Sequence, residues 1–273
     1  MQTEKVHFTK EKETMLVTLY GRALETDSKD PILRDPAAQE AVQRIDYDFK
    51  SLNIKWNDIL AIAARAKMFD LWVEEFLVNN PKATVLHLGC GLDSRVFRIN
   101  PSPDVLWFDV DYPEIIELRK RLFPERAGYH MIGSSVSDTD WLNQVPADHP
   151  VLVIAEGLMY YLTEEQVKSL VNRLVDRFPS GQIMFDAISR LYLKMQKTNV
   201  GISATGARMW WGIDDAHELE KWNPRIKLVT KLSVMDQNFP NIQKMSGGMR
   251  AVLRVLALIP ALKNMGLVLR YNF

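Results

Sequence analysis

The chain has a single cysteine among its 273 residues. One thiol cannot close an internal disulfide, so the sequence does not read as a secreted, cross-linked scaffold. Histidine is scarce as well, with five residues at 7, 87, 130, 149 and 217. None stands at a metal-ligand spacing such as HExxH, so no metal is expected. An excess of either charge is also missing. Lys and Arg total 34 and Asp and Glu total 34, giving a formal net charge of zero. Without a basic excess there is no footprint for a polyphosphate, which argues against a nucleic-acid partner. Long hydrophobic runs are absent too. The most apolar late stretch, 251–269, is broken by Arg254, Pro260 and Lys263, too often for a bilayer span. The first fifteen residues are polar and mixed in charge and read as no signal peptide. The expectation is a cytoplasmic protein that partners neither membrane nor nucleic acid.

What is present suits a globular protein with a full core, since 47% of residues are hydrophobic. Residues 1–80 read as helical. Asp35 followed by Pro36 is a helix start, and Ile59, Ile62, Ala63, Ala66, Phe69, Val73, Phe76 and Leu77 recur at helical spacing. The pattern then changes to short apolar runs suited to strands buried on both faces. They lie at Thr84–Leu88, Val105–Val110, Tyr129–Ile132, Val151–Ala155 and Gln182–Ala187. Helical segments intervene at Pro113–Phe123 and at Thr163–Phe178, the latter opening with Thr163 and Gln166 at capping-box spacing. Two further strands are expected over Lys227–Met235 and Gly266–Phe273, with helix between them. Seven strands alternating with helices predict an α/β, Rossmann-like fold with a mostly parallel sheet. The expected divisions are a helical part (1–80), a cofactor-binding core (81–188), a substrate cap (189–225) and the last two strands (226–273).

The first strand runs into Gly89-Cys90-Gly91-Leu92-Asp93-Ser94-Arg95. Glycines at 89 and 91 allow a sharp turn and a close ligand approach at the carboxyl end of a strand. Cys90, between them, is read as a small packing residue beside a ligand rather than as a thiol. Asp111, 20 residues after Gly91, stands at the spacing of a carboxylate that takes ribose hydroxyls. Both dinucleotides and S-adenosylmethionine use this geometry. Ser94 stands where a dinucleotide site has a third glycine, and Asp93 would repel a diphosphate. The Asp93–Pro103 connection is also short. These features favour S-adenosylmethionine, which has no phosphate. At the end of the fourth strand Glu156 precedes Gly157, placing a carboxylate where the cofactor's positive groups could lie.

Leu88-Gly-Cys-Gly-Leu-Asp-Ser-Arg95, Phe108-Asp-Val-Asp-Tyr-Pro113 and Ala155-Glu-Gly-Leu-Met-Tyr160 together resemble the leucine carboxyl methyltransferase family, and within it the bacterial polyketide-type O-methyltransferase branch. Leu19–Leu24, Pro31–Pro36 and Ile45–Phe49 carry the likeness further. The resemblance implies a class I methyltransferase fold with six parallel strands and an antiparallel last one. It implies S-adenosylmethionine as donor and a carboxylate or hydroxyl acceptor. It implies that Arg65 pairs with the donor's carboxylate, that Gly89 lies against its methionine part, that Asp111 holds the ribose, that Ser135 and Val136 flank the adenine, and that Glu156 sits near the amino group. The chain departs from the family pattern at His87, where an acidic residue is common, and at Ser135, often Asp, with Asp138 as a nearby substitute.

No catalytic acid or base stands out. A carboxylate acceptor needs none, whereas a phenol would gain from one. Tyr160, Met195, Met209, Trp210 and Trp211 are candidates to line an apolar pocket for a small, polyketide-like or aromatic acceptor, and equally to pack the cap onto the core. Arg190, Lys194 and Arg208 could steer an acidic substrate or be plain surface charges. Within the family, a protein C-terminus is the alternative acceptor, and a non-catalytic S-adenosylmethionine-binding scaffold is the alternative outside catalysis. A base-methylating [DN]PP[YF] signature is absent, its place taken by Glu156-Gly-Leu-Met159.

Overall fold

The structure is a computed structural model that describes residues 4–5, 11–196, 208–237, 239–245 and 247–273. Part of the expected cap, 197–207, therefore lies outside the described residues, as does His7.

Seven strands form one sheet: β1 (Thr84–Leu88), β2 (Leu106–Asp111), β3 (Tyr129–Gly133), β4 (Val151–Ala155), β5 (Gly181–Ile188), β6 (Lys227–Ser233) and β7 (Gly266–Asn272). Their spatial order is β3-β2-β1-β4-β5-β7-β6. β1 to β5 pair in parallel, and β7 is antiparallel to both of its neighbours. Six strands thus share one direction and the last runs against them, as expected. The observed strand ends fall within two residues of the sequence reading. A short parallel pairing of Glu4–Lys5 with Ile45–Asp46 lies outside the sheet.

Side-chain alternation divides the apolar runs between two layers. Val85, Trp107, Leu152, Ile154 and Met184 face one side, packed by Phe69, Trp72, Val73 and Phe76 of the long helix α3 (Trp56–Asn79). Leu86, Phe108, Val153, Ile183 and Phe185 face the other. There they meet Val167, Leu170, Val171 and Leu174 of α6 (Glu164–Arg177). The Thr163–Gln166 capping box that opens α6 is formed, with Gln166 N–H donating to the Thr163 hydroxyl. Such a cap contributes about 1 kcal/mol.

Two helices precede α3: α1 (Glu11–Thr26) and α2 (Pro36–Arg44). Asp35 caps α2 by accepting from Ala38 N–H at 3.0 Å. Leu16 and Leu19 of α1 and Ala38 and Ala41 of α2 bury against Leu92, just beyond the glycine loop, and against Leu118 and Leu122 of α5 (Pro113–Leu122). The N-terminal helices are thereby fixed to the carboxyl end of the sheet. The connection after β1 holds only a five-residue helix, α4 (Arg95–Ile99), as its shortness predicts. Three short helices, Pro240–Lys244, Gly247–Leu256 and Pro260–Lys263, link β6 to β7. Among the described residues, no helix is long and apolar enough to cross a membrane.

Candidate functional site

The strand order reverses between β1 and β4, and ligands of open α/β sheets bind at such a switch point, outside the carboxyl ends. Here the loop after β1 and the loop after β4 face one another. Gly89 and Gly91 both take the left-handed conformation, at φ +61° and +50°. A Cβ on Gly89 would lie 3.0 Å from Leu158 Cδ1, beyond β4, and one on Gly91 would lie 3.2 Å from Met15 Cβ of α1. Glycine is thus required at both places by conformation and by contact. Cys90 between them is buried, and burial pushes its thiol well above the ordinary range, so it sits in the loop as a small apolar group. Arg119 of α5 shapes the same loop by donating to the carbonyls of Gly91 and Asp93 at 2.9 and 2.8 Å.

Asp111 ends β2 beside this loop. Its Oδ2 accepts from Gly91 N–H and its Oδ1 from Tyr112 N–H, both at 2.7 Å. Each oxygen keeps a lone pair for a further donor. Burial raises the Asp111 carboxyl above its ordinary value, against the pull of those two amides.

Glu156 follows β4. Its Oε1 accepts from Arg65 Nε at 2.9 Å and its Oε2 from Arg95 Nη2 at 2.5 Å. Burial alone would raise this carboxyl, but Arg95 and Arg65 hold it below the ordinary range, so it is ionised at neutral pH. Arg65 reaches the site from α3 and is half-buried, and its Nη1 donates to Asp186 Oδ2 at 2.8 Å. The sequence thus brings Arg65, Glu156, Gly89, Gly91 and Asp111 to one edge from four separate segments.

Beneath this edge lies a buried ionic cluster that the sequence reading missed. Arg95, fully buried, also pairs with Asp70 at 2.6 Å and Asp93 at 3.2 Å. Arg98 contacts Asp35, Asp70 and Asp93 at 2.6, 2.9 and 2.8 Å, and Arg22 of α1 joins at 3.4 Å from Asp35. Asp93 therefore points inward. Burial would raise its carboxyl, yet Arg95, Arg98 and Arg22 reverse that and hold it well below the ordinary range. Asp93 does not stand free to repel a diphosphate as its place in the sequence suggests, because its charge is already matched inside the protein. The charge count carries the same preference on better ground. His87 aside, four arginines (22, 65, 95, 98) meet five carboxylates (35, 70, 93, 156, 186) in these ion pairs. The excess carboxylate favours a ligand carrying net positive charge over a diphosphate.

His87 is buried in β1. Its Nδ1 lies 3.3 Å from Asp109 and its Nε2 3.8 Å from Asp93. It belongs to the interior cluster. Ser135 and Val136 follow β3. Ser135 Oγ accepts from Ser137 N–H at 3.2 Å and Val136 is buried, while Asp138 N–H donates to the Ser135 carbonyl at 3.0 Å.

The acceptor candidates separate. Tyr160 is half-buried beside Arg65, and burial raises its phenol well above the ordinary range. Its carbonyl accepts from Trp210 N–H at 2.7 Å and Trp211 N–H at 3.3 Å, which docks residues 208–211 against the loop after β4. Trp210 remains half exposed, with the Arg208 guanidinium 3.9 Å over its ring. Met209 is buried, and Trp211 packs into the core between Phe185 and Trp222. Arg190 is held by both oxygens of Glu218 at 2.7 Å, so it is an ion-paired surface residue. Asp186, bonded to Arg65 and to Gly157 N–H, is the neighbour that sequence reasoning passed over. Its only signal was a lone carboxylate in the otherwise apolar run 183–188.

Comparison with known proteins shows the family. Residues 15–175 match the model of the leucine carboxyl methyltransferase family. The chain is 41% identical to the tetracenomycin polyketide synthesis O-methyltransferase TcmP of Streptomyces glaucescens, over 99% of each chain. It is 35% identical to the S-adenosyl-L-methionine-dependent methyltransferase dpfgK of Gibberella zeae, over 85% of each. In fold it is similar to a DUF574 family protein from Streptomyces avermitilis, with a TM-score of 0.62 at 13% identity, covering 94% of this chain and 96% of that one. A putative methyltransferase from Thermobifida fusca aligns with a TM-score of 0.55 at 16% identity, over 92% and 93% of the two chains. On the family match and the near full-length identity, this chain belongs to the leucine carboxyl methyltransferase family.

Proposed function

We propose that this protein is an S-adenosylmethionine-dependent O-methyltransferase acting on a carboxylate or hydroxyl oxygen of a small polyketide-like or aromatic molecule. One observation carries the reading: at the β1/β4 switch point a glycine loop, the Asp111 carboxylate and the Arg65–Glu156 pair converge. The residues fit the donor chemically. Asp111 keeps lone pairs for two ribose hydroxyls, the glycines leave no Cβ in the way, and the cluster's excess negative charge suits a ligand with two positive groups and one negative. When bound, S-adenosylmethionine supplies a sulfonium-activated methyl, so in-line displacement needs alignment more than activation.

The roles divided among this chain's residues follow from that. Arg65 offers its remaining N–H donors to the donor's carboxylate, a task suited to a planar fork. Glu156, kept ionised by Arg95 and Arg65, attracts the amino group. Gly89, Cys90 and Gly91 let the methionine part pass close to the backbone, and Ser135 and Val136 flank the adenine. Residues 189–196 and 208–225 cap the acceptor side, where Tyr160 and Trp210 present surface while Met209 and Trp211 anchor the second stretch in the core. A carboxylate acceptor is already ionised at neutral pH and requires no base from the protein. The working compartment is the cytoplasm.

The test is methyl transfer from tritiated S-adenosylmethionine to a panel of carboxylic acids and phenols, beside calorimetry with S-adenosylhomocysteine and NAD. Base-labile counts identify an ester and base-stable counts an ether. Binding of NAD with none of S-adenosylhomocysteine would overturn the proposal.

A further inference from the structure

Asp186 stands in β5, one strand away from Glu156, and is 7% exposed. Its neighbours Phe185 and Ala187 are buried and apolar. Such a position is costly for a carboxylate unless its oxygens are bonded. Both are, and both bonds go to the donor site. Oδ2 accepts from Arg65 Nη1 at 2.8 Å, and Oδ1 accepts from Gly157 N–H at 2.6 Å. Gly157 takes φ +70° directly after Glu156, so the second bond fixes the turn that presents Glu156. A Cβ on Gly157 would sit 3.8 Å from Arg65 Nη2 and 3.5 Å from the Tyr160 hydroxyl, which puts all four residues in one small space.

The chemistry of Arg65 shows what this does. A guanidinium beside a carboxylate prefers to engage it through two parallel N–H bonds. Arg65 meets Glu156 through Nε alone, while Nη1 is held by Asp186 on the other side of the guanidinium. Glu156 in turn gives its second oxygen to Arg95. Without Asp186, Arg65 could swing fully onto Glu156, and the two charges would satisfy each other instead of a ligand. We propose that Asp186 is a positioning residue of the donor site: through one oxygen it holds the Arg65 fork and through the other the Glu156–Gly157 turn, limiting the Arg65–Glu156 contact to a single bond and leaving their remaining donors and lone pairs for a bound amino-acid zwitterion. This rests on the roles given above to Arg65 and Glu156.

The experiment compares two ligands that differ only in that zwitterion. S-adenosylhomocysteine carries the amino-acid end, and 5′-methylthioadenosine keeps the nucleoside and sulfur without it. Calorimetry on the wild-type chain should show clear preference for S-adenosylhomocysteine. In Asp186→Asn a single carbonyl oxygen serves one donor, and the amide N–H group opposes the other. The variant should bind S-adenosylhomocysteine about tenfold more weakly or worse, the loss of one charge-assisted bond, with 5′-methylthioadenosine unchanged. Asp186→Glu keeps the charge and moves the oxygens by a methylene. It should show the same ligand-selective loss, which covers the case in which the asparagine variant folds poorly. Equal losses for both ligands would mean that Asp186 only supports the fold, and undiminished S-adenosylhomocysteine binding would mean that it positions nothing; either overturns the proposal. A wild-type chain that binds both ligands equally would overturn the roles of Arg65 and Glu156 themselves, and this inference with them.

Discussion

Arg95→Met keeps most of the side-chain volume and removes the charge at the centre of the buried cluster. In the wild type Arg95 is fully buried and bonded to Asp70 at 2.6 Å, Asp93 at 3.2 Å and Glu156 at 2.5 Å. Breaking a buried pair by removing one partner costs about 3–5 kcal/mol, because a charge is left behind. Each orphaned carboxylate keeps at least one other partner: Arg98 remains beside Asp70 and Asp93, Arg22 also lies near Asp93, and Arg65 remains beside Glu156. The expected loss is therefore at the lower end, about 3 kcal/mol, or a drop in Tm of about 6–12 °C for a domain of this size. The pH dependence has a definite sign. Asp70, Asp93 and Glu156 are all held below their ordinary values in the wild type, Asp93 well below. Their contribution is present above the unfolded-state carboxylate range and fades as pH falls through the depressed folded values. In the variant these values rise, so the gap between the two proteins is full at pH 7.5 and narrows towards pH 4, by about 1 kcal/mol or more. Urea unfolding followed by tryptophan fluorescence at both pH values measures it. A variant as stable as wild type at pH 7.5 would refute the importance of the cluster, and a loss unchanged at pH 4 would show that packing rather than charge is responsible.

Asp111→Asn should weaken S-adenosylhomocysteine binding by about 10- to 150-fold, the range for hydrogen bonds to a charged group, and calorimetry at wild-type affinity would refute the ribose assignment. Because burial raises the Asp111 carboxyl, wild-type affinity should begin to fall with acidity at a higher pH than an ordinary aspartate would give. Gly89→Ala forces a side chain into φ +61° and to within 3.0 Å of Leu158, so a loss of about 1–2 kcal/mol in urea unfolding is expected, and none would show that the loop relaxes freely. Cys90 should resist an aromatic disulfide reagent in the native protein, since its thiol is buried and raised, and react at once in urea; equal rates in both would contradict its placement.

The sheet was legible in the sequence because strands buried on both faces announce themselves as uninterrupted apolar runs, and Val151–Ala155 is found as read. Gly91 and Asp111 were legible because their spacing follows from one strand, one turn and the next strand, and the two are joined by a hydrogen bond. The buried cluster was not. Arg95 meets Asp70 and Glu156 across 25 and 61 residues, and such pairings leave no period in a sequence. Asp93 was misjudged for a related reason: a residue type in a loop does not say which way its side chain points. Trp211 was read as a lining or packing residue, and only the three-dimensional path of 208–213 shows that it enters the core beside Phe185. The signal for Asp186 was present, as one acidic residue amid buried neighbours, but its partner Arg65 lies 121 residues away.

The N-terminal helices belong to the site's chemistry as much as the sheet does. The α/β core alone supplies Asp93, Arg95, Arg98, Glu156 and Asp186, three carboxylates against two guanidiniums. Asp70 and Arg65 come from α3, Asp35 from the cap of α2 and Arg22 from α1. The same helices pack against the glycine loop, since a Cβ on Gly91 would lie 3.2 Å from Met15 Cβ of α1 and Arg22 donates to the Leu92 carbonyl at 3.1 Å. A glycine loop that must stay open for a ligand cannot stabilise itself by packing against that ligand's space. In this chain its stability comes from behind, through buried ion pairs whose partners lie outside the nucleotide-binding unit. Leu19–Leu24 and Pro31–Pro36 contain Arg22 and Asp35, the outer members of the network that fixes the loop.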